Sequence, residues 1–142
     1  MKISKLALTG ALLLEHKAYS DERGYFAETY RQQQLDDAAG YSVRFIQDNE
    51  AVSQLGVLRG LHYQKPPFAQ SKLVRVLQGA ILDVIVDIRH GSPTFGQALA
   101  TPLSADTLQL LFIPRGFAHG YLTLTSHALL QYKVDNYYSP AD

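Results

Sequence analysis

The chain alternates short apolar runs with clusters of turn residues along most of its length. Turn signals such as DERG at 21–24, KPP at 65–67 and HGSP at 90–93 interrupt the apolar runs. Short runs bounded in this way are typical of β-strands. The pattern predicts strands over residues 6–14, 24–29, 43–49, 57–64, 72–77, 80–87, 97–103, 109–113, 120–125 and 128–134.

One segment departs from this strand pattern. Residues 31–39 have helical character, and Gly40 follows at the position where a helix commonly ends. Many short strands at regular spacing indicate a β-sandwich or barrel. Because no linker, repeat or low-complexity tract divides the sequence, we expect one all-β domain over residues 1–142 with a single short helix.

Strict alternation in the predicted strand 80–87 separates two faces of the sheet, because successive strand side chains point to opposite sides. One face combines aliphatic side chains with carboxylates. Such a face suits either solvent or the wall of a partly polar cavity, and the pattern leaves both open. The two sets are Leu82, Val84, Val86 and Ile88 on one side and Ile81, Asp83, Ile85 and Asp87 on the other.

The stretch LRGLHYQ at residues 58–64 has a parity problem. In a regular strand Arg59 points to one face and His62 to the other, so the two side chains cannot serve one pocket. A β-bulge at Gly60 would redirect one of them, and glycine tolerates the backbone angles that a bulge requires. The sequence therefore predicts a bulge at Gly60.

Composition excludes several kinds of site. The chain has 142 residues and no cysteine, which excludes disulfides, thiolate metal ligands and cysteine nucleophiles. Thirteen basic residues balance thirteen acidic ones, so no overall field favours nucleic acid or an anionic membrane. Residues 1–17 imitate a signal peptide only loosely, and no apolar run is long enough to span a bilayer. We expect a cytoplasmic protein that binds neither nucleic acid nor membrane.

Two short motifs resemble those of cupin barrels. Residues 114–119, PRGFAH, match the second cupin motif, PxGxxH. The first motif normally supplies His-x-His, and here the corresponding residues are His62, Tyr63 and Gln64. Two imidazoles without a carboxylate are a poor ligand set for zinc or iron. We therefore expect a cupin jelly roll that holds no metal.

Four kinds of side chain offer acid–base or electrostatic chemistry. His62 and His119 can accept a proton near neutral pH. Tyr132 can donate a proton to a basic enolate, because its ordinary pKa is near 10. Lys72 and Arg59 can stabilise an oxyanion or hold phosphate. Each of these residues, taken singly, more commonly has a structural or solvated role.

The motifs taken together resemble the dTDP-4-dehydrorhamnose 3,5-epimerase family. The resemblance runs in order along nearly the whole chain, and its central and C-terminal motifs are specific. The matching segments are DERGYFAE at 21–28, QDN at 47–49, LRGLHYQ at 58–64, QSKLV at 70–74, residues 79–89, SPTFG at 92–96, IPRGFAHG at 113–120, Tyr132 and YYSP at 137–140.

This resemblance implies a cupin jelly-roll homodimer that uses no cofactor and acts on a dTDP-4-keto-6-deoxy sugar. In the family, dTDP-4-dehydro-6-deoxy-D-glucose is inverted at C3 and C5 on the route to L-rhamnose. His62 matches the family's base, Tyr132 its acid and Lys72 its enolate stabiliser. In the family, the segment that corresponds to the one carrying Arg23, Phe26 and Glu28 enters the partner's site. The positions that match substrate-binding residues are Arg23, Phe26, Glu28, Gln47, Asn49, Arg59, His119 and Tyr138.

The chain departs from the family pattern at its C-terminus. Family members continue past the Tyr-Tyr-x-Pro element with a tail that bears a tryptophan and an aspartate, and that aspartate orients the catalytic histidine. This sequence stops at Asp142 and contains no tryptophan. Either the sequence is part of a longer protein or it is a natural short form. In the second case an internal acid would have to orient His62, and Asp83 is the candidate, although pairing with Lys72 is its commoner role.

Three functions are compatible with these residues. The first is inversion at both C3 and C5 of a dTDP-4-keto sugar. The second is a related enzyme, either a single-site epimerase or a ketoisomerase. The third is a catalytically inert nucleotide-sugar-binding protein. The presence of His62, Lys72 and Tyr132 favours catalysis, because binding alone does not need all three.

Overall fold

The computed structural model describes residues 1–140, and this part of the chain is built mainly of short strands. One helix, α1, covers Gln32–Ala39. The strands are β1 Lys2–Lys5, β2 Leu12–Glu15, β3 Ala18–Asp21, β4 Gly24–Ala27, β5 Gln47–Gln54, β6 Leu58–His62, β7 Lys72–Gln78, β8 Ala80–Asp87, β9 Ala98–Ser104, β10 Gln109–Ile113, β11 Phe117–Thr123 and β12 His127–Val134.

Two antiparallel sheets form a sandwich. The six-stranded sheet has the order β1-β2-β10-β7-β12-β5, and the four-stranded sheet has the order β6-β11-β8-β9. Strands β3 and β4 form a separate hairpin. The non-sequential strand order is that of a jelly roll, so the predicted cupin-like β-sandwich is confirmed.

The main core lies between the two sheets. Val74, Leu111 and Leu130 from the six-stranded sheet pack with Ile81 and Ile85 from the four-stranded sheet. Asp83 alternates with these two isoleucines and is fully buried. The acid-bearing face of β8 therefore points inward, which settles the question that the alternation left open.

The helix covers the outer face of the six-stranded sheet. Its buried side chain, Leu35, packs with Leu73 and Phe112, which point away from the main core. Gly40 ends the helix at φ 81°, and its amide donates to the Asp36 carbonyl at 2.9 Å. The predicted helix and its terminating glycine are confirmed.

Two predicted strands were wrong over more than half of their length, and the strand predicted at 120–125 lies instead at Phe117–Thr123. The run 6–14 is broken by a turn in which the Ala11 amide donates to the Leu8 carbonyl at 3.0 Å and Gly10 has φ 92°. Leu8 and Ala11 are buried in this turn, and an apolar run alone cannot distinguish a buried turn from a strand. The predicted strand 43–49 begins only at Gln47, because Val43 packs against the helix. No helix of residues 1–140 is long and apolar enough to cross a membrane.

Candidate active site

A bulge in β6 brings Arg59 and His62 to the same face. Arg59 lies opposite Tyr121 and His62 lies opposite His119, so a step of two residues in β11 spans a step of three in β6. The predicted bulge is thus confirmed. Gly60 has φ 108°, and a Cβ atom there would lie 2.6 Å from the His119 carbonyl oxygen. Only glycine fits this close approach of two backbones.

Two adjoining cavities, each of about 380 Å³, open between the sheets. The first is the more polar and is lined by side chains that include Gln47, Asn49, Gln70 and Tyr138. The second includes Arg59, His119 and Tyr121. Both cavities are lined by His62, Lys72 and Tyr132. These three side chains therefore stand where the two cavities meet.

His62 is held as a neutral imidazole by its surroundings. Loss of hydration in the cavity wall, the Lys72 ammonium and His119 together lower the pKa of His62 to about 4. The rings of His62 and His119 lie edge to face with centroids 6.1 Å apart. At neutral pH His62 therefore has a lone pair with which to accept a proton.

Lys72 is a buried cation and the first residue of β7. Only 8% of its surface is exposed, and Nζ lies 3.3 Å from His62 Nε2. Burial lowers the pKa of Lys72 to about 8, although the Asp83 carboxylate opposes this shift. The ammonium can donate hydrogen bonds to an oxyanion in the cavity, and low local polarity strengthens such bonds.

Tyr132 faces the cavities from the opposite sheet to His62. It lies on β12 between Asn49 of β5 and Val74 of β7. Burial, followed by the nearby Tyr121, raises the pKa of the Tyr132 phenol, while Arg59 opposes this shift. The phenol therefore stays protonated at neutral pH and can act as a proton donor.

A hydrogen-bonded chain fixes Arg59. Its Nε donates to Ser53 Oγ at 2.9 Å, and its Nη2 donates to the Val52 carbonyl at 3.2 Å. Ser53 Oγ lies 3.0 Å from the Tyr121 hydroxyl, and both Ser53 and Tyr121 are buried. The guanidinium is thus held at the second cavity by groups that themselves cannot move freely.

The structure pairs Asp83 with His119 and not with the partners expected from the sequence. Asp83 Oδ2 accepts a hydrogen bond from His119 Nε2 at 2.8 Å. Asp83 has no hydrogen bond to His62 or Lys72 within the described residues, and its influence on Lys72 is through charge. The expectation that Asp83 orients His62 was wrong. Strand β11 lies between β6 and β8, so His119 stands between Asp83 and His62.

The sequence of this chain is similar to that of proteins of known function. The model of the dTDP-4-dehydrorhamnose 3,5-epimerase family matches residues 5–142. The chain belongs to this family. Among its relatives, the dTDP-4-dehydrorhamnose 3,5-epimerase of Salmonella typhimurium is 50% identical over 141 residues, which are 99% of this chain and 77% of the relative.

Solved structures of the family have the same fold. The dTDP-6-deoxy-D-glucose-3,5-epimerase of Legionella pneumophila, in complex with dTDP-4-keto-L-rhamnose, superposes with a TM-score of 0.94 at 45% identity, covering 99% of this chain and 74% of that chain. A 3'-monoepimerase of Streptomyces bikiniensis, in complex with dTDP-quinovose, gives a TM-score of 0.89 at 38% identity, covering 96% and 69%.

Three of the residues that the family resemblance points to lie away from the cavities of their own chain. Arg23 and Phe26 lie on the β3–β4 hairpin and Glu28 follows it. Arg23 pairs with Asp21, and Glu28 pairs with Arg31 at 2.7 Å. Phe26 is 71% exposed. The other predicted site residues line one or both cavities, with Asp83 placed behind His119.

Gln64 replaces the second histidine of the metal-binding cupin motif and holds the C-terminal segment instead. Its Nε2 donates to the carbonyls of Phe68 at 2.7 Å and Tyr137 at 3.1 Å, and its Oε1 accepts from the Ser139 amide at 2.7 Å. These bonds bracket Tyr138, which lines the first cavity. Within residues 1–140, no group of three or more His, Asp or Glu side chains is arranged to hold a metal ion.

Sequence reasoning missed the supporting residues Ser53, Tyr121 and Gln70. Ser53 and Tyr121 support Arg59, while Gln70 Nε2 donates to the Asn136 carbonyl at 2.7 Å. Parity could have indicated Ser53, because it shares an inward face of β5 with Asn49 and Ala51. Tyr121 alternates with His119 on β11 in the same way.

Proposed function

We propose that the protein inverts C3 and C5 of dTDP-4-dehydro-6-deoxy-D-glucose and so produces dTDP-4-dehydro-L-rhamnose. The observation that carries this proposal is the meeting of His62, Lys72 and Tyr132 at the junction of the two cavities. Family membership supplies the class of reaction and of substrate.

The arrangement suits inversion through an enolate. A ketone at C4 acidifies the protons on C3 and C5, because the resulting carbanion delocalises onto the ketone oxygen. His62, on the four-stranded sheet, removes the proton from one face of the sugar. Tyr132, on the six-stranded sheet, returns a proton to the opposite face. Lys72 donates a hydrogen bond to the enolate oxygen.

The remaining cavity residues are proposed to hold the nucleotide and the sugar. Arg59 is positioned to bind the diphosphate, because a guanidinium presents several donors to phosphate oxygens. Gln47 donates to Asn49 Oδ1 at 2.7 Å, and both amides line the first cavity with Tyr138. The Tyr138 ring can stack on the thymine of the nucleotide, and a ring nitrogen of His119 can form a hydrogen bond with the sugar. No step in this mechanism calls for a cofactor.

We propose further that two chains share each site. The aromatic side chains of the β3–β4 hairpin are unusually exposed, with 60% of Tyr25 and 71% of Phe26 accessible. Exposed apolar clusters of this kind commonly mark protein interfaces. A hairpin that reaches the partner's cavity would bring Arg23, Phe26 and Glu28 to the nucleotide. A cytoplasmic location and the absence of nucleic-acid or membrane binding stay predictions from the sequence.

One incubation distinguishes this function from its alternatives. The protein is mixed with the dTDP-4-keto sugar in deuterated water, and NMR follows exchange at each carbon. Exchange at both C3 and C5 supports the proposal. Exchange at C3 alone indicates a single-site enzyme, and one protein of similar structure is described as a 3'-monoepimerase. A 3-keto product indicates a ketoisomerase, and tight dTDP binding without exchange indicates an inert binding protein.

A further inference from the structure

Asp83 is a carboxylate buried without any contact with solvent. It lies on β8 between Ile81 and Ile85, and its exposed fraction is 0%. Burying a carboxylate costs free energy unless partners compensate its charge. Within residues 1–140, its Oδ1 atom has no hydrogen-bond partner, and its Oδ2 atom has His119. An apolar residue would be a less costly occupant of this position.

The hydrogen bond to Asp83 decides what His119 can present to a ligand. A carboxylate only accepts hydrogen bonds, so His119 Nε2 carries the proton that is donated over 2.8 Å. The other ring nitrogen, Nδ1, is buried and has no partner among the described residues. His119 lines the second cavity, and Nδ1 is its remaining hydrogen-bonding atom.

Asp83 also acts on Lys72 through its charge. Lys72 Nζ lies 3.3 Å from His62, and Asp83 acts on it through charge. The other charged or titratable side chains that line the same two cavities are Arg59, His119, Tyr63, Tyr121, Tyr132 and Tyr138. Among the residues that the structure describes, Asp83 is the negative charge that favours the protonated amine against its burial. Without this carboxylate the amine would lose its proton at a lower pH.

We propose that Asp83 is a positioning residue that fixes the orientation and the tautomer of His119 beside the second cavity. The proposal rests on the function inferred above, in which His119 contacts the sugar. It differs from the expectation that an internal acid orients His62.

The test replaces Asp83 with an isosteric neutral group, Asp83→Asn, and uses Asp87→Asn as the matched control. Asp87 is equally buried on the same strand, but it bonds to Arg89, Ser92 and Thr94 and lines neither cavity. Both variants should lose stability. Asp83→Asn alone should move the alkaline limb of the kcat/KM profile to lower pH by about one unit.

Two NMR measurements made without substrate test the role of Asp83 independently of the proposed epimerase activity. Histidine ¹⁵N shifts report the tautomer of His119, and lysine side-chain NMR reports the titration of Lys72. In Asp83→Asn we expect a lower Lys72 pKa and loss of the fixed Nε2–H tautomer, and in Asp87→Asn neither change. If the His119 tautomer in Asp83→Asn matches that in the Asp87→Asn control, the proposal is overturned, whatever the Lys72 titration shows. If the wild type shows no epimerase activity while these shifts appear, the function fails and the positioning role stands.

Discussion

Lys72 Nζ of the six-stranded sheet lies 3.3 Å from His62 Nε2 of the four-stranded sheet. Burial is the largest cause that lowers the pKa of His62, and the Lys72 ammonium is the second, because two positive charges at so short a separation repel each other. The pKa is about 8 for Lys72 and about 4 for His62. Between about pH 4 and pH 8, Lys72 is therefore protonated and His62 is neutral. This is the protonation state that enolate formation requires.

The first prediction concerns pH. Activity needs neutral His62 and protonated Lys72, so kcat/KM should fall below about pH 4 and above about pH 8. In the profile of kcat both limbs should move to higher pH, since the bound diphosphate stabilises positive charge on both groups. Steady-state kinetics across pH measures this. An alkaline limb that persists unchanged in Lys72→Gln would contradict the assignment.

Ser53→Ala should weaken binding of dTDP by about three- to tenfold, because one hydrogen bond that holds Arg59 contributes about 1 kcal/mol. Tyr121→Phe should have a smaller effect, since Ser53 Oγ stays in place. Calorimetry with dTDP and with thymidine measures the change, and thymidine affinity should not move. Ser126→Ala, on the exposed turn before β12, is the matched control. Equal weakening for both ligands would argue against a diphosphate role for Arg59.

Gly60→Ala should destabilise the fold by about 3 kcal/mol and displace His62, because the added Cβ would meet the His119 carbonyl oxygen at 2.6 Å. Gly56→Ala is the control for backbone conformation alone. Gly56 also has positive φ, at 76°, but nothing lies within 4 Å of the position that an added methyl group would take. The control should lose about 1 kcal/mol. Denaturant unfolding compares the two, and equal losses would refute the close-approach argument.

Subunit complementation tests the shared site. Arg23→Ala impairs the hairpin that a chain gives to its partner, and His62→Ala impairs the chain's own cavity. If the hairpin crosses, mixed dimers contain one intact site, and co-refolding equal amounts should restore about a quarter of wild-type activity. If each chain completes its own site, the mixture will have only the summed activity of the two variants. Sedimentation establishes the oligomeric state of each sample.

Local pattern predicted much of the fold, and the long-range contacts had to come from the structure. The strands 80–87 and 109–113 were predicted with their observed bounds, because clear alternation or an apolar run ends there at turn residues. The bulge at Gly60 followed from side-chain parity. The partner of Asp83 could not be predicted in this way, since it depends on which strand lies between β6 and β8. The same limit applies to Ser53, whose partner Tyr121 is on the other sheet.

The central claim is that His62 is the base at both inverted carbons. Deuterium incorporation at C3 and C5 of the dTDP-4-keto sugar, counted by mass spectrometry, tests it most directly. Wild type and the control His127→Ala, whose histidine is exposed and lines neither cavity, should incorporate deuterium at both carbons. His62→Ala should incorporate none, whereas Tyr132→Phe should still exchange but form little inverted product. Exchange at the wild-type rate in a folded His62→Ala would contradict the account.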